Sequence, residues 1–222
     1  MRSLLSLLFI LAFFSVDAQS YYRMTGDFSI KHKTATGKDQ LTLGTFYYDM
    51  QAKQIVFDVR FPNKEIWVFK DTTHYIIQND SVKQTIRSSL IAEFSVFHLS
   101  LKNQLQNYGL DNSVFSLDDV VKDGDMVISK WTAPKKMKMG DVAISTKQNK
   151  LFGVIFYNND GSVMRKQFYK NYSNIRGVQV PGEVIDFFYR EDEESIQKTE
   201  YRNVKVNDEA KNSMYFYRIP VH

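Results

Sequence analysis

A stretch from Leu41 to Ile77 carries the clearest alternation of hydrophobic and polar residues. Four apolar-rich runs of strand length are separated by polar breaks of a few residues. Connections this short keep consecutive strands beside one another, so the stretch predicts a four-stranded antiparallel meander. Its third quarter places Ile55, Phe57 and Val59 on one face and polar residues on the other. This alternation predicts a strand with one buried face and one face toward water. A sheet with an apolar face requires a cover.

The period of the pattern changes beyond residue 89. The segment 79–89 is polar and predicts a loop. Apolar residues then recur at spacings of 4, 3, 4 and 4, which aligns them along one side of a helix of about 24 Å. Gly109 is a plausible stop for that helix. The aligned positions are Leu90, Phe94, Phe97, Leu101 and Leu105.

Strand signals surround this helix on both sides. Alternation within 21–33 predicts a first strand, and polar turns separate later apolar runs. Pro181 marks 177–181 as a short edge or break, because proline cannot donate to a ladder. Further strands are predicted at 114–121, 126–131, 142–146, 151–157, 163–172, 184–189 and 196–206. The fold class that follows is mainly β with α: a large curved antiparallel sheet. It forms an open half-barrel of about ten or eleven strands, with one amphipathic helix covering the concave face.

The N-terminal residues have the pattern of a secretory signal. A basic start precedes an apolar run from Leu4 to Val16, and small residues permit cleavage after Ala18. The run is shorter than the roughly 20 apolar residues that cross a bilayer, so a retained anchor is the weaker alternative. We therefore expect a signal peptide at 1–18, a single domain at 19–222, and export in soluble form.

Composition excludes several kinds of site. The chain has no cysteine, so disulfides, a thiolate nucleophile and a lipid-bearing cysteine are ruled out. Its net charge is +4, with both signs interspersed, and no concentrated basic stripe indicates a nucleic-acid interface. The basic segment 135–138 is an exposed loop that could contact anionic lipid or an acidic partner. Phenylalanine, tyrosine and tryptophan number 17, 13 and 2. These large side chains form either a sealed core or the walls of a cavity.

Residues capable of catalysis are scattered. The four histidines, at 32, 74, 98 and 222, lack metal-ligand spacing, and acidic residues cluster only at Asp118-Asp119 and 191–194. We expect no metal and no cofactor. Sequence motifs of nucleophilic hydrolases, P-loops and dinucleotide sites are absent from the chain. A hydrolase that uses His74 or His98 is the least favoured functional hypothesis.

Several segments resemble the LolA-type periplasmic lipoprotein carriers and their LolB-like relatives. The resemblance starts at GTFYY (44–48), continues through IVFDVRFP (55–62) to IWV (66–68), and includes YSNIRGVQVP (172–181). It implies an open half-barrel that shelters acyl chains in transit toward the outer membrane. It also implies a monomer whose partners are lipoprotein acyl chains or another lipid, an inner-membrane donor and an outer-membrane acceptor.

The expected site lies between the helix and the apolar face of the meander. The alternative hypothesis is a non-catalytic envelope module that binds proteins and has a filled core. An acyl chain would gain about 25 cal/mol for each Å² of apolar surface transferred into a greasy trough. The side chains expected to bound this hydrophobic cavity are Phe46, Ile55, Phe57, Val59, Trp67, Leu90, Phe94, Phe97 and Leu101.

Overall fold

The computed structural model describes residues 21–88, 91–137, 139–190 and 193–220. Within these ranges thirteen strands form one curved, unclosed antiparallel sheet in the order β6-β5-β4-β3-β2-β1-β13-β12-β11-β10-β9-β8-β7. The predicted signal peptide lies outside the described residues. The strands are β1 Arg23–Lys33, β2 Asp39–Asp49, β3 Gln54–Phe61, β4 Glu65–Lys70, β5 Thr73–Gln78, β6 Ser81–Arg87, β7 Ser116–Asp123, β8 Met126–Thr132, β9 Val142–Lys147, β10 Lys150–Tyr157, β11 Val163–Ile175, β12 Val178–Arg190 and β13 Glu193–Val206.

The chain path explains why the sheet has a cover on one face. Strand β1 lies in the middle, and the meander β1–β6 runs outward to one edge. The chain next crosses to the opposite edge, where β7 begins, and β8–β13 return until β13 pairs with β1. Because a single connection joins the two edges, it must lie across one face of the curved sheet. We call residues 91–115 the crossover segment.

The half-barrel architecture and the meander are confirmed. The hairpins β7–β8, β9–β10, β10–β11 and β12–β13 form where the turn signals predicted them. The strand count is higher than the ten or eleven expected. The predicted loop at 79–89 was wrong, because 81–87 is β6 and only Asn79 and Asp80, both with positive φ, form the turn. Strand β6 resembled a loop because it is a polar, mostly exposed edge strand.

The interruption expected around Pro181 was also wrong, since Val178–Arg190 is one strand. Pro181 pairs with Tyr172 of β11, whereas the pairing of β12 with β13 begins only at Glu183. The first residues of β12 therefore have a neighbour on one side only. No strand within the described ranges lies on the other side of Pro181 to pair with it, so its lack of an N–H does not interrupt the sheet.

The cover contains one short helix instead of a 24 Å rod. Helix α1, Val96–Leu101, is preceded by Ser95, whose extended backbone and side-chain oxygen cap the helix by accepting a hydrogen bond from His98 N. Phe94 belongs to a separate 3-10 turn, Ala92–Phe94. Beyond Lys102 the chain continues in turns, with Gly109 in the left-handed conformation at φ +71°. Apolar residues therefore recur at helical spacing although the backbone is interrupted twice.

Buried side chains form three clusters on the two faces of the sheet. On the concave face, one cluster packs β1–β3 against α1, and a second packs β8–β12 against the later part of the crossover segment. The third lies on the convex face of β2–β5, where Tyr47, Val56 and Val68 pack against Tyr215. Tyr215 belongs to a second short helix, α2 (Asn212–Tyr215), in the C-terminal segment. The expectation that the second face of β3 lies in water was therefore wrong at Val56, whereas Arg60 on the same face is exposed.

Candidate functional site

A cavity of about 760 Å³ lies between the concave face of the sheet and the crossover segment. Its volume falls within the range of roughly 300–1,000 Å³ typical of ligand pockets. Apolar side chains dominate both ends. Strands β3 and β4 contribute Phe57, Trp67 and Phe69, and strands β10 and β12 contribute Phe156 and Phe188. The curvature of the sheet keeps these two walls apart, because a cover only a few turns long cannot fill the concave surface beneath it.

The structure separates the side chains that were expected to bound the site. Phe57, Trp67, Phe94 and Phe97 line the cavity. Phe46, Ile55 and Val59 belong to the concave-face core and are at most 1% exposed. Leu101 packs against the same core, and Leu90 lies outside the described residues.

Aromatic contacts connect α1 to the strands that form the cavity wall on the side of β3 and β4. Phe97 of α1 stacks on Phe46 with ring centroids 4.2 Å apart and meets Tyr201 edge-on at 5.3 Å. Phe57 contacts Phe28 and Phe69 edge-on, at 4.9 and 5.6 Å. Offset and edge-to-face arrangements of this kind are the favourable geometries of aromatic pairs. Rings locked in this way form a stiff wall, so this part of the cavity is preorganised.

Polar side chains line the cavity wall on three adjacent strands. Gln167 of β11 pairs in register with Asp186 of β12, which pairs with Gln197 of β13. Arg165 and Thr199 lie two positions along their strands on the same face. All five line the cavity, and Gln167, Asp186 and Thr199 are at most 5% exposed. We call these five residues the polar stripe.

An ion pair dominates the polar stripe. Arg165 donates from Nε and Nη2 to Oδ1 of Asp186, at 2.9 and 2.6 Å. Its guanidinium carbon lies 4.9 Å from the ring centroid of Phe188 and 5.9 Å from that of Phe156. Burial lowers the pKa of Arg165, but Asp186 and the neighbouring phenol groups raise it above its usual value on balance. The guanidinium therefore stays charged, held between two aromatic rings and one carboxylate.

Two buried tyrosines share one acceptor next to this pair. The hydroxyl groups of Tyr108 and Tyr169 both donate to Oε1 of Gln167, each at 3.1 Å. Burial raises the pKa of both phenols, so they remain neutral donors. The arrangement fixes the side-chain amide of Gln167 and attaches the crossover segment, through Tyr108, to strand β11.

Two histidines, His98 on α1 and His74 on β5, contact aromatic side chains of the sheet. His98 Nδ1 bonds the hydroxyl of Tyr48 at 2.6 Å, which ties α1 to β2. His74 stacks on Phe69 with centroids 4.1 Å apart, and its buried Nε2 has no hydrogen-bond partner among the described residues. Burial lowers the pKa of His74 to about 4, so the ring is neutral near pH 7. Both rings act as packing elements behind the cavity wall.

The mouth of the cavity is marked by lining residues that also face solvent. Met139, Met164 and Asn159 are exposed there, and Phe94 of the cover is 38% exposed. The basic loop noted in the sequence lies immediately before this rim, with Lys135 and Lys136 exposed in a 3-10 turn. Flexible methionine side chains are common at surfaces that adapt to varied apolar ligands.

Across the described ranges, no three histidine, aspartate or glutamate side chains converge as a metal site. In the same part of the chain, no helix has the length and hydropathy needed to cross a membrane.

Solved structures show the LolA-like fold at low sequence identity. A LolA superfamily protein from Nitrosomonas europaea matches with a TM-score of 0.59 and 13% identity over 88% of this chain and 91% of that chain. A DUF1329 family protein from Desulfovibrio piger matches with a TM-score of 0.60 and 13% identity over 89% and 90%. An outer membrane lipoprotein-sorting protein domain from Vibrio parahaemolyticus matches with a TM-score of 0.60 and 9% identity over 87% and 89%. No family model and no curated protein matches the sequence.

The chain therefore has a LolA-like fold, as the resemblance in its sequence implied. Sequence reasoning missed the polar stripe. The signal was present in VIDFF (184–188), where Asp186 interrupts an otherwise apolar run, and in RKQFY (165–169), where Arg165 and Gln167 share a face. An isolated polar residue inside an apolar strand is costly unless a partner or a ligand satisfies it.

Proposed function

We propose that this protein is a non-enzymatic carrier that shelters the acyl chains of a lipid or lipoprotein in the cell envelope, between an inner-membrane donor and an outer-membrane acceptor. The observation that carries the proposal is the 760 Å³ cavity between the sheet and its cover, walled by aromatic side chains. A solved neighbour with the same fold is named as a lipoprotein-sorting protein domain. The signal-like N-terminal sequence supports an envelope location.

The energetics favour a hydrocarbon guest. Each CH₂ group moved from water into an apolar site contributes about 0.8 kcal/mol, so an acyl chain could contribute several kcal/mol. Binding of this kind needs a wall that is already formed, because otherwise the protein would lose that free energy in ordering its own side chains. The interlocked rings around Phe97 provide such a wall.

Adjacent phenylalanines on β12 allow a matched test. Phe188 lines the cavity, whereas Phe187 points to the convex face and contacts Phe168 edge-on at 5.9 Å. Both are half-buried. We expect Phe188→Asn to weaken binding of a fluorescent fatty-acyl probe by roughly tenfold or more, since it replaces apolar lining with an amide. Phe187→Asn should leave probe affinity unchanged.

Native mass spectrometry of gently purified protein provides a direct complement, because copurified lipid would support the carrier. Equal probe affinity for both variants and the unmodified protein, or no measurable probe binding at all, would contradict the proposal. The alternative, an envelope module with a filled core, predicts that outcome. A specific observation favours keeping this alternative: the edge hairpin β7–β8 exposes Leu117, Val120, Val121 and Val127.

A further inference from the structure

Resting on the proposed function, we propose that the polar stripe selects lipids whose head group is uncharged and carries hydroxyl groups, such as the glycerol of a monoacylglycerol. A carrier for bare hydrocarbon would need only apolar walls. Here a largely buried ion pair and three further polar side chains line the wall. Burying charged groups is costly, so their position in the cavity indicates a ligand that uses them.

The unused hydrogen-bonding groups define the chemistry of the head. Both bonds of Arg165 go to Oδ1 of Asp186, and among the described residues its Nη1 has no acceptor. Oδ2 of Asp186 likewise accepts no hydrogen bond from the described residues, and Nε2 of Gln167 finds no acceptor there. The stripe thus offers both donors and an acceptor. A hydroxyl group can accept from Arg165 and donate to Asp186 at once, which a carboxylate or an ester cannot.

The charge of the wall disfavours an anionic head. Among the described residues that line the cavity, Arg165 is the only lysine or arginine, and Asp186 already compensates it. A second carboxylate, Asp141, also lines the cavity, with one oxygen accepting a hydrogen bond from the backbone of Ala133 at 3.2 Å. A fatty-acid carboxylate or a phosphate would add negative charge to this set and would compete with Asp186 for Arg165.

The position of the stripe suits an amphiphile of this kind. On the strands that flank β11, the residues in register with Arg165 are Phe156 and Phe188. The apolar wall of Phe57, Trp67 and Phe69 lies at the other end of the cavity. A tail directed toward that wall leaves the head at the stripe, on the side of the exposed rim residues Met139 and Met164.

The test compares three ligands that share one acyl chain: the monoacylglycerol, the methyl ester and the free acid. Each displaces the same fluorescent fatty-acyl probe from delipidated protein at pH 8 and low salt. We expect the monoacylglycerol to bind roughly tenfold more tightly than the methyl ester, because it adds one or two net hydrogen bonds. The free acid should bind most weakly of the three.

Two variants test the role of the ion pair. Asp186→Asn preserves the shape of the side chain but leaves Arg165 uncompensated, so the free acid should become the tightest ligand. The double variant Arg165→Met with Asp186→Leu removes both charges together and avoids an unpaired buried charge. It should bind the monoacylglycerol and the methyl ester within about threefold of one another, since the donor and the acceptor that distinguish the hydroxyl-bearing head are gone. The exposed pair Lys147 and Asp125, altered to Met and Leu, is the control, and its ligand order should match that of the unmodified protein.

The outcomes separate this inference from the carrier function. If no ligand displaces the probe from the unmodified protein, the carrier function itself fails. If all three ligands bind equally well, or if the free acid binds tightest before any substitution, the carrier remains but the selectivity is overturned. An undiminished preference for the monoacylglycerol over the methyl ester in the folded double variant would also overturn it. Thermal unfolding of each variant establishes that it is folded before binding is measured.

Discussion

The half of the sheet that contains β2–β4 and the half that contains β11–β13 differ in what lies against their two faces. In β2–β4, alternate side chains are buried on both faces: Phe46 and Ile55 against α1, and Tyr47 and Val56 against the C-terminal segment. In β11–β13, the concave face carries the polar stripe and borders the cavity. The convex face there includes exposed or half-buried lysines such as Lys166 and Lys170. The half with the strongest hydrophobic pattern is therefore mainly scaffold, and the half whose pattern is interrupted holds the distinctive chemistry.

This contrast follows from the cost of polar groups in a core. A region that is buried on both faces admits polar side chains only where a partner within the protein satisfies them, so its sequence is mostly apolar. A cavity wall tolerates a polar side chain because a ligand or water can satisfy it. A break in an apolar strand is thus a better indicator of a binding site than the strength of the surrounding pattern.

The largest loss of stability is expected from breaking the buried ion pair between Arg23 of β1 and Asp49 of β2. Arg23 contacts Asp49 at 3.0 Å, with both side chains buried, and also donates to Asn212, the first residue of α2, at 2.8 Å. Arg23→Met leaves the carboxylate of Asp49 buried without its cation. We expect the free energy of unfolding to fall by about 3–5 kcal/mol in urea titrations. Arg60→Met, which breaks an exposed pair with Asp27, should cost about 0–1 kcal/mol. Equal losses would show that burial does not distinguish the two pairs.

A second pair of substitutions separates stability from binding. Phe46 is fully buried and stacked on Phe97, so Phe46→Ala should lower the free energy of unfolding by about 3–4 kcal/mol. Phe188 is half-buried and borders the cavity, and Phe188→Ala should cost about 1–2 kcal/mol while weakening probe binding. Urea titration and probe displacement measure both variants. The comparison between the halves would fail if Phe188→Ala were the more destabilising change.

In the half of the sheet that contains β7–β13, burial alone should set how much an added hydroxyl group lowers the free energy of unfolding. Val154 of β10 is 0% exposed, and Val120 of β7 is 53% exposed. Val154→Thr buries an additional hydroxyl and should cost about 1–3 kcal/mol. Val120→Thr should change stability by no more than about 0.5 kcal/mol. Urea titrations of both variants check this, and a large loss in Val120→Thr would indicate that the edge hairpin is covered in solution.

The smallest effect is a pH dependence from His74. Its folded pKa is lowered to about 4, so between pH 4 and 6.5 the unfolded chain binds more protons than the folded protein. Stability contributed by the neutral ring is therefore present above pH 6.5 and is lost as the pH falls toward 4. Because the ring is only partly buried, we expect about 1 kcal/mol of loss between pH 7 and pH 5.

His74→Phe keeps the stack on Phe69 and removes the titrating group. The difference in unfolding free energy between this variant and the unmodified protein should widen in favour of the variant as the pH falls from 7 to 5. The carboxylates titrate in both proteins and cancel in the difference. A difference that stays constant across this range would exclude His74 as the source.

Much of the sheet could be predicted from the sequence because hairpins are local. The turn at 122–125 joins β7 to β8, and the alternation at 55–59 places Phe57 on the concave face. The crossover segment was harder, since apolar spacing over 94–105 is the same whether the backbone is one helix or several turns. Ser95 decided the matter by capping α1 one turn later than the spacing suggested. Strand β6 escaped recognition because an exposed edge strand has no apolar face.

The candidate site was predictable only in part. Phe57, Trp67, Phe94 and Phe97 line the cavity, but Phe46, Ile55 and Val59 share their pattern and are sealed in the core. A period of two assigns a residue to a face and says nothing of what lies opposite it. Arg165 and Asp186 are 21 residues apart, and only the antiparallel register of β11 and β12 brings them together.

The sequence by itself determined most of the strands, the order of their hairpins and the need for an apolar cover, because these depend on neighbours along the chain. The tertiary structure decided where the concave face is filled and where it remains open. It also decided that the C-terminal segment covers the convex face of β2–β5. Both depend on the distance between surfaces far apart in sequence, and that distance is set by the curvature of the whole sheet and the path of one crossover.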